Sequence, residues 1–460
     1  MNTSRRPRRR PTLRLRASSS PLILCALTVG LLFFACPGAR GPAPPPERPH
    51  VLLLSLDTLR ADRLGSYGHP RDTSPFLDEI AAGGTRFSQA FVNTHGTPPS
   101  HATLFTSLYQ ESHRVSYRAR GGQADHHLPE ELPVLPQVLR DAGYSTVAVT
   151  GGGFMSEDFG WRRGFDSFRE EGLEDGADAL FRAIDRRRDG TPIFAFFHTY
   201  EIHSPYDAEA PYPTLWGELP SDIDPSSEAL KARSRRKPLR LSDDEREALL
   251  KRYDGGIRYT DDVLRRLFEK LEAIGFLAHA LVVITSDHGE EFGEHGSLLH
   301  PATLYDELVA VPLILVGDGV RAGHIDDRLV STLDIAPTIY SYVGVRAPRW
   351  ASGHDLLAPF APGRGEVFFQ YGDLLHGVRT PNFKLIQNLK TGDTKLFDLH
   401  KDPLEQRSLT RFRPRIAETL GERLDAWRAS VPRFASRREE DIPSLSDERL
   451  DELRALGYVD

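Results

Sequence analysis

The chain has 460 residues, 39% of them hydrophobic and 27% charged, which excludes both an intrinsically disordered protein and one embedded in a membrane. That length exceeds one ordinary domain and points to a large core with a smaller appendage. The formal net charge of -7 becomes -14 (-7 minus 7) without the seven arginines ahead of Pro21, so the body is acidic and unsuited to general nucleic-acid binding.

The first predicted element lies outside the fold. Residues 1–48 open with seven arginines and no acid before Pro21, continue in an apolar run to Ala35 and end in the stiff linker GPAPPPERP. A basic flank followed by such a run is the pattern of a secretory leader. The run is short for a spanning helix, which needs roughly 20 apolar residues, with an uncleaved inner-membrane anchor as the alternative. Ala35-Cys36 resembles a bacterial lipoprotein cleavage site, although Phe33 is unusual at its place in one. The expected location is the bacterial periplasm or cell envelope, with Cys36 as a candidate lipid attachment point. Cys25 and Cys36 are the only cysteines, which leaves the body without disulfide or thiol chemistry.

Past the linker, HVLLLSLD is a continuous apolar run ending in an acid, the pattern of a buried parallel strand. Similar runs recur as STVAVT (145–150), PIFAFFHTY (192–200) and ALVVITSD (280–287). Amphipathic stretches such as LPVLPQVLRDAG and DDVLRRLFEKLEAIG separate them, so the expected class is α/β, a parallel sheet covered on both faces. The segment 207–245 breaks this rhythm. It is rich in proline and serine and contains KARSRRKPLR, which fits a solvated surface loop or, alternatively, a rim that attracts an anionic substrate. Beyond residue 346, short strand-like runs with turn signals at Asn382 and Gly392-Asp393 predict an antiparallel subdomain, followed by a capped amphipathic helix in SLSDERLDELRALGYVD.

In parallel sheets, ligands sit outside the carboxyl ends of the strands. Three runs end in chemically capable residues: Asp57, His198 with His203, and Asp287 with His288. The adjacent Asp287 and His288, with Gly289 letting the chain turn, offer a hard oxygen and a borderline nitrogen, the beginning of a transition-metal site. Asp57 would add a third ligand if its strand neighbours that of Asp287. Thr97, in THGTPPSHATLFTS, precedes two prolines and the start of an apolar helix. It is either the cap of that helix or a hydroxyl activated beside a metal to attack an anionic tetrahedral group held at the helix start.

RPHVLLLSLDTLRADRLGSYG, TSPFLDEIAAGGTRFSQAF, TPPSHATLFTSLY, VITSDHGEEFGEHG, LYDELVAVPLILVG, STLDIAPTIYSYVG, GVRTPNFKLI and LFDLHKDPLEQRSL together resemble the sulfatase family of the alkaline phosphatase superfamily, in family order. The resemblance implies an alkaline-phosphatase-like α/β/α sandwich over 49–345, a smaller C-terminal antiparallel sheet subdomain with a helical tail over 346–460, and hydrolysis of sulfate or phosphate esters. It makes Asp57, Asp287 and His288 metal ligands and Thr97 the nucleophile. His203 matches the histidine beside the leaving-group oxygen, and His300 stands where relatives keep a lysine or histidine facing the substrate.

The departures shape the chemistry. Sulfatases convert a cysteine or serine at position 97 to formylglycine within Cys/Ser-x-Pro-x-Arg, whereas this chain reads Thr97-Pro98-Pro99-Ser100-His101. That route is closed to threonine. His101 replaces the supporting arginine, and Thr150-Gly151-Gly152-Gly153 replaces the family's Gly-Lys-Trp-His, removing two cationic grips. Thr97 instead resembles the nucleophile of the two-metal nucleotide pyrophosphatase/phosphodiesterases. Those carry an aspartate where this chain has Thr199, so one divalent ion is expected, with calcium, manganese and zinc all open. The expected substrate is a sulfated or phosphorylated small molecule, glycan or lipid. The alternatives are a phosphodiester or phosphonate-ester hydrolase and a catalytically silent envelope protein.

Overall fold

In the computed structural model, which describes residues 48–116, 126–187, 189–221, 223–359, 361, 363–434 and 445–456, the four apolar runs all become strands. In chain order the strands of the main sheet are β1 (His50–Leu56), β2 (Thr85–Phe91), β3 (Ser145–Thr150), β4 (Ser167–Glu170), β5 (Ile193–Thr199) and β6 (Ala280–Thr285). After a small hairpin of β7 (Glu291–Phe292) and β8 (Leu298–Leu299) come β9 (Leu313–Val316) and β10 (His324–Ser331). The eight-stranded sheet has the order β10-β2-β9-β6-β1-β5-β3-β4. The leader and Cys36 lie outside the described residues, among which no helix is long and apolar enough to cross a membrane.

The sheet is parallel except for β9, which runs against both neighbours, β2 and β6. The reason is connectivity. From the end of β6 the chain passes through the site loop and re-enters the sheet from the same edge, without the helical crossover that a parallel return requires. Alternation along β1 sends Leu52 and Leu54 into one core with Leu249, Ile257 and Leu264, and Val51 and Leu53 into the other with Phe105, Leu135 and Ile339. Helices cover both faces, the sandwich the pattern predicts.

Within 207–245 the structure departs from a plain loop. Residues Ser227–Arg235 form a helix whose Ser226 cap accepts from the Ala229 amide and whose Leu230 is buried. Ser242 and Glu245 then form a capping box that starts the 31-residue helix Asp243–Ala273. The predicted helix around DDVLRRLFEKLEAIG is its second half.

The remaining strands, β11 (Val367–Tyr371), β12 (Leu375–Arg379), β13 (Phe383–Asn388) and β14 (Thr394–Asp398), form an antiparallel four-stranded sheet. Both predicted turn signals fall at its corners, Asn382 between β12 and β13 and Gly392 between β13 and β14. Helix Pro414–Ser430 packs Leu420, Leu424 and Trp427 on Phe368, Val378 and Leu385, and Tyr109 and Leu333 join the same cluster. The tail helix Asp447–Ala455 is capped by Ser446 and buries Leu453 in the second core.

A buried ion cluster ties β12 and β13 to the segment after the site loop. Lys384 Nζ lies 2.8 Å from Asp306 Oδ1 and 3.0 Å from Glu405 Oε1, while Arg379 Nη1 lies 2.6 Å from Asp306 Oδ2. Replacing Lys384 by methionine leaves these carboxylates one cation short in a water-poor place, a loss of about 3–5 kcal/mol. Equilibrium denaturation of K384M should register it, and an unchanged midpoint would make the cluster dispensable.

Candidate active site

Ser55 of β1 stands opposite His198 on β5 and Thr285 on β6, so these central strands end together at one edge of the sheet. Asp57, the segment from His198 to His203 and the pair Asp287-His288 all leave the sheet there, as ligand-binding residues of open parallel sheets do. One donor atom each from Asp57, Asp287 and His288 lies within 4.8 Å of the other two, and all three residues are buried. Asp287 Oδ1 accepts from the backbone amides of His288 at 2.9 Å and Thr58 at 3.3 Å. His288 Nδ1–H donates to the Gly289 carbonyl at 2.8 Å, which leaves the Nε2 lone pair for the cluster. Asp57 Oδ1, Asp287 Oδ2 and His288 Nε2 are buried with no hydrogen-bond partner among the described residues. Burial and the neighbouring Asp287 push the Asp57 carboxyl well above the usual carboxylate range. Two acids this deep hold a proton between them unless a cation enters. The donor set of two oxygens and one imidazole, with an unused atom on each, fits a divalent ion.

Thr97 stands beside this cluster. The cap position of helix Thr97–Thr106 is Gly96, not Thr97. Gly96 has φ 102°, which suits glycine alone, and so aims the following residue inward. The Thr97 hydroxyl donates to Asp57 Oδ2 at 3.2 Å. Ser100 pins the helix by donating to the Asp287 carbonyl at 2.5 Å. His101 Nδ1–H donates to the Thr97 carbonyl at 2.8 Å and its Nε2 accepts from Ser55 at 2.9 Å, so the ring that replaces the family's arginine braces the helix from behind.

Sequence reasoning left His198, Glu290 and His95 without a role. His198 Nε2–H donates to Asp57 Oδ2 at 3.3 Å while its Nδ1 accepts from the Gly151 amide at 3.4 Å. Its ring therefore holds the carboxylate that faces Thr97. His95 stacks on Tyr371 and sets its ring edge-on to His288. His203 and His300 come together on a second wall, with ring centroids 5.1 Å apart, and Glu290 joins them through its Oε1, 3.3 Å from His300 Nδ1. His203 Nδ1–H donates to the Ser204 carbonyl at 2.8 Å. Burial, with His300 adding to it, lowers the His203 proton affinity to about 4. His300 is lowered to about 3 by burial and by His288, and the charge of Lys231 adds to the shift. Lys231 belongs to helix Ser227–Arg235, which docks beside the loop carrying His300 through Ser234 and Ser297, 2.7 Å apart.

Two local surprises concern the departures. Gly289 is needed for close approach rather than for a turn, since a Cβ there would sit 2.0 Å from the Glu307 carbonyl oxygen. The Gly152-Gly153 end of the segment matched to Gly-Lys-Trp-His is covered by the tail helix, whose Glu452 Oε1 accepts from the Gly153 amide at 2.5 Å.

A deep metal-type cluster beside a hydroxyl at a helix start, at the carboxyl edge of an α/β sheet, defines an ester hydrolase of the alkaline phosphatase type. The Sulfatase family model matches residues 49–345, and the chain belongs to the sulfatase family. A second model, N-sulphoglucosamine sulphohydrolase, C-terminal, matches residues 293–429. The chain is 24% identical to the Delta 4,5-hexuronate-2-O-sulfatase of Bacteroides thetaiotaomicron, covering 87% of this chain and 91% of that one. It is 26% identical to the multifunctional alkaline phosphatase superfamily protein PehA of Trinickia caryophylli, covering 69% of this chain and 78% of that one. Among solved structures, the phosphonate monoester hydrolase of Agrobacterium radiobacter superposes with a TM-score of 0.70 at 22% identity, covering 84% of this chain and 96% of that one.

Proposed function

We propose that this protein is an exported, metal-dependent hydrolase that cleaves sulfate or phosphate esters through Thr97. The observation that carries the reading is the Thr97 hydroxyl, 3.2 Å from Asp57 Oδ2 within the buried Asp57–Asp287–His288 cluster. Those three side chains would hold the divalent ion, which when bound supplies positive charge to the ester oxygens and lowers the proton affinity of the hydroxyl. Thr97 Oγ1 attacks the sulfur or phosphorus, its proton directed toward Asp57 Oδ2. The bond to the alcohol oxygen breaks, the departing alkoxide takes a proton from water, and a second water hydrolyses the ester on Thr97 and regenerates its hydroxyl.

His203 and His300 line the leaving-group side. His203 matches the family's histidine beside the leaving-group oxygen, but burial and the neighbouring His300 lower its proton affinity to about 4, which disfavours the protonated donor that this match implies. Its Nε2 then bears a lone pair, so the alcohol oxygen is met there by something other than a ring proton.

A relative named as a hexuronate 2-O-sulfatase favours a sulfated glycan, and the basic leader supports export, with Cys36 as the anchoring point. An unmodified threonine at position 97 and the glycines at 151–153 favour a second reading, a phosphodiester or phosphonate-ester hydrolase. Parallel assays with nitrophenyl sulfate, nitrophenyl phosphate, bis-nitrophenyl phosphate and a phenyl phosphonate ester, each with calcium, manganese and zinc, separate the two. Turnover of the sulfate or the monophosphate is the expected outcome. Preference for the diester or the phosphonate selects the second reading, and no turnover on any substrate with any metal defeats both.

A further inference from the structure

We infer that His203, Glu290 and His300 form a second divalent-cation site beside that of Asp57, Asp287 and His288. One donor atom from each of the three lies within 4.8 Å of the other two. Glu290 and His203 are fully buried, and His300 is half-buried. Two imidazoles and a carboxylate are a donor set suited to zinc or manganese, with room for exogenous oxygen ligands.

Three details favour a cation over a purely structural cluster. His203 Nδ1–H donates to the Ser204 carbonyl at 2.8 Å, which fixes the tautomer that leaves Nε2 as an electron-pair donor, the arrangement metal-bound histidines use. Glu290 Oε2 is buried, with the uncharged Tyr206 hydroxyl nearby and no lysine or arginine on it among the described residues. Arg60 donates to the Glu290 main-chain carbonyl at 2.8 Å and spends its other donors on Asp62 and Glu294. The Glu290 carboxylate is therefore ion-paired only to His300 among the described residues, at 3.3 Å. A buried carboxylate without a lysine or arginine is costly unless a metal or a proton satisfies it.

The two clusters are neighbours. The ring of His300 lies 5.0 Å from that of His288 and 5.1 Å from that of His203. Thr199, where two-metal relatives carry an aspartate, has its hydroxyl occupied by the Glu201 amide at 3.2 Å, so the second carboxylate comes from a different loop, as Glu290. Resting on the hydrolase reading above, a cation here supplies positive charge on the side where the alcohol departs.

The test is metal stoichiometry on the full-length protein, stripped with chelator, dialysed against zinc or manganese and analysed by elemental mass spectrometry. Wild type should bind two ions per chain. Glu290→Gln and His203→Asn should each bind one, Asp287→Asn should bind one, and Glu290→Gln with Asp287→Asn should bind none. Cobalt substitution adds a spectroscopic readout, with the visible absorption of wild type falling by about half in Glu290→Gln, and circular dichroism reports whether each variant is folded. One ion in wild type, or no loss of metal in folded Glu290→Gln and His203→Asn, overturns the second site while leaving the Thr97 reading intact. A wild type that binds one ion and loses it in Asp287→Asn but not in Glu290→Gln is the particular result expected if only the first cluster holds metal.

Discussion

Replacing Thr97 with alanine should abolish ester hydrolysis, by at least about 10⁴-fold in kcat, because removal of a nucleophile leaves only binding and electrostatic contributions. The fold should survive. Thr97 is the first residue of its helix, the cap position belongs to Gly96, and the substitution removes a buried hydrogen bond to Asp57, worth about 1 kcal/mol. Thr97→Ser keeps the hydroxyl and should retain a measurable fraction of activity. A slow substrate should leave a mass increment on the peptide containing Thr97 in wild type and none in the alanine variant, and the same spectra should show threonine, not an aldehyde, in untreated protein. Alanine activity above a tenth of wild type would remove Thr97 from the chemistry and return it to a structural role.

How far these features were legible beforehand follows from what each depends on. Asp57, Asp287 and His288 were readable because each ends an apolar run, and register alone decides whether such ends meet; β1 does lie between β5 and β6. Whether Thr97 caps its helix was not readable, because the cap falls one residue earlier, at Gly96 with φ 102°. His198 was visible as a strand end, but its contact with Asp57 requires knowing which ring nitrogen receives the Gly151 amide, a tertiary fact. Glu290 and Glu291 stand together inside TSDHGEEFGEHG and both are buried, so one-dimensional spacing cannot tell which carboxylate faces the site. The direction of β9 was equally hidden, since LILV pairs as well in either sense and the return path through the site loop decides it. The helix at Ser227–Arg235 was masked by its low apolar content, with a single leucine, Leu230, buried on it.

Asp57→Asn should separate metal binding from folding in opposite directions. Without metal, wild-type Asp57 is buried against Asp287, and burial followed by that charge raises its pKa well above the ordinary 3.8. A folded-state pKa raised above the unfolded value means that the folded chain holds a proton the unfolded chain releases. The associated stability is complete below about pH 4 and is lost as pH climbs toward the folded pKa. Asparagine does not titrate, so metal-free Asp57→Asn should match metal-free wild type near pH 4 and exceed it in Tm at pH 8. With metal the order reverses. Wild type gains about 2.7 kcal/mol per site at a ligand concentration of 100 Kd, whereas the variant loses one of the two anionic ligands of the first site, keeps only the gain from an ion at His203, Glu290 and His300, and should show a smaller shift and no turnover. Thermal melts at the two pH values, with and without manganese or zinc, measure both effects. A metal-induced shift as large in the variant as in wild type would place the ion away from Asp57. A variant less stable than wild type at pH 8 without metal would mean that the two carboxylates are not in fact frustrated by each other when the ion is gone.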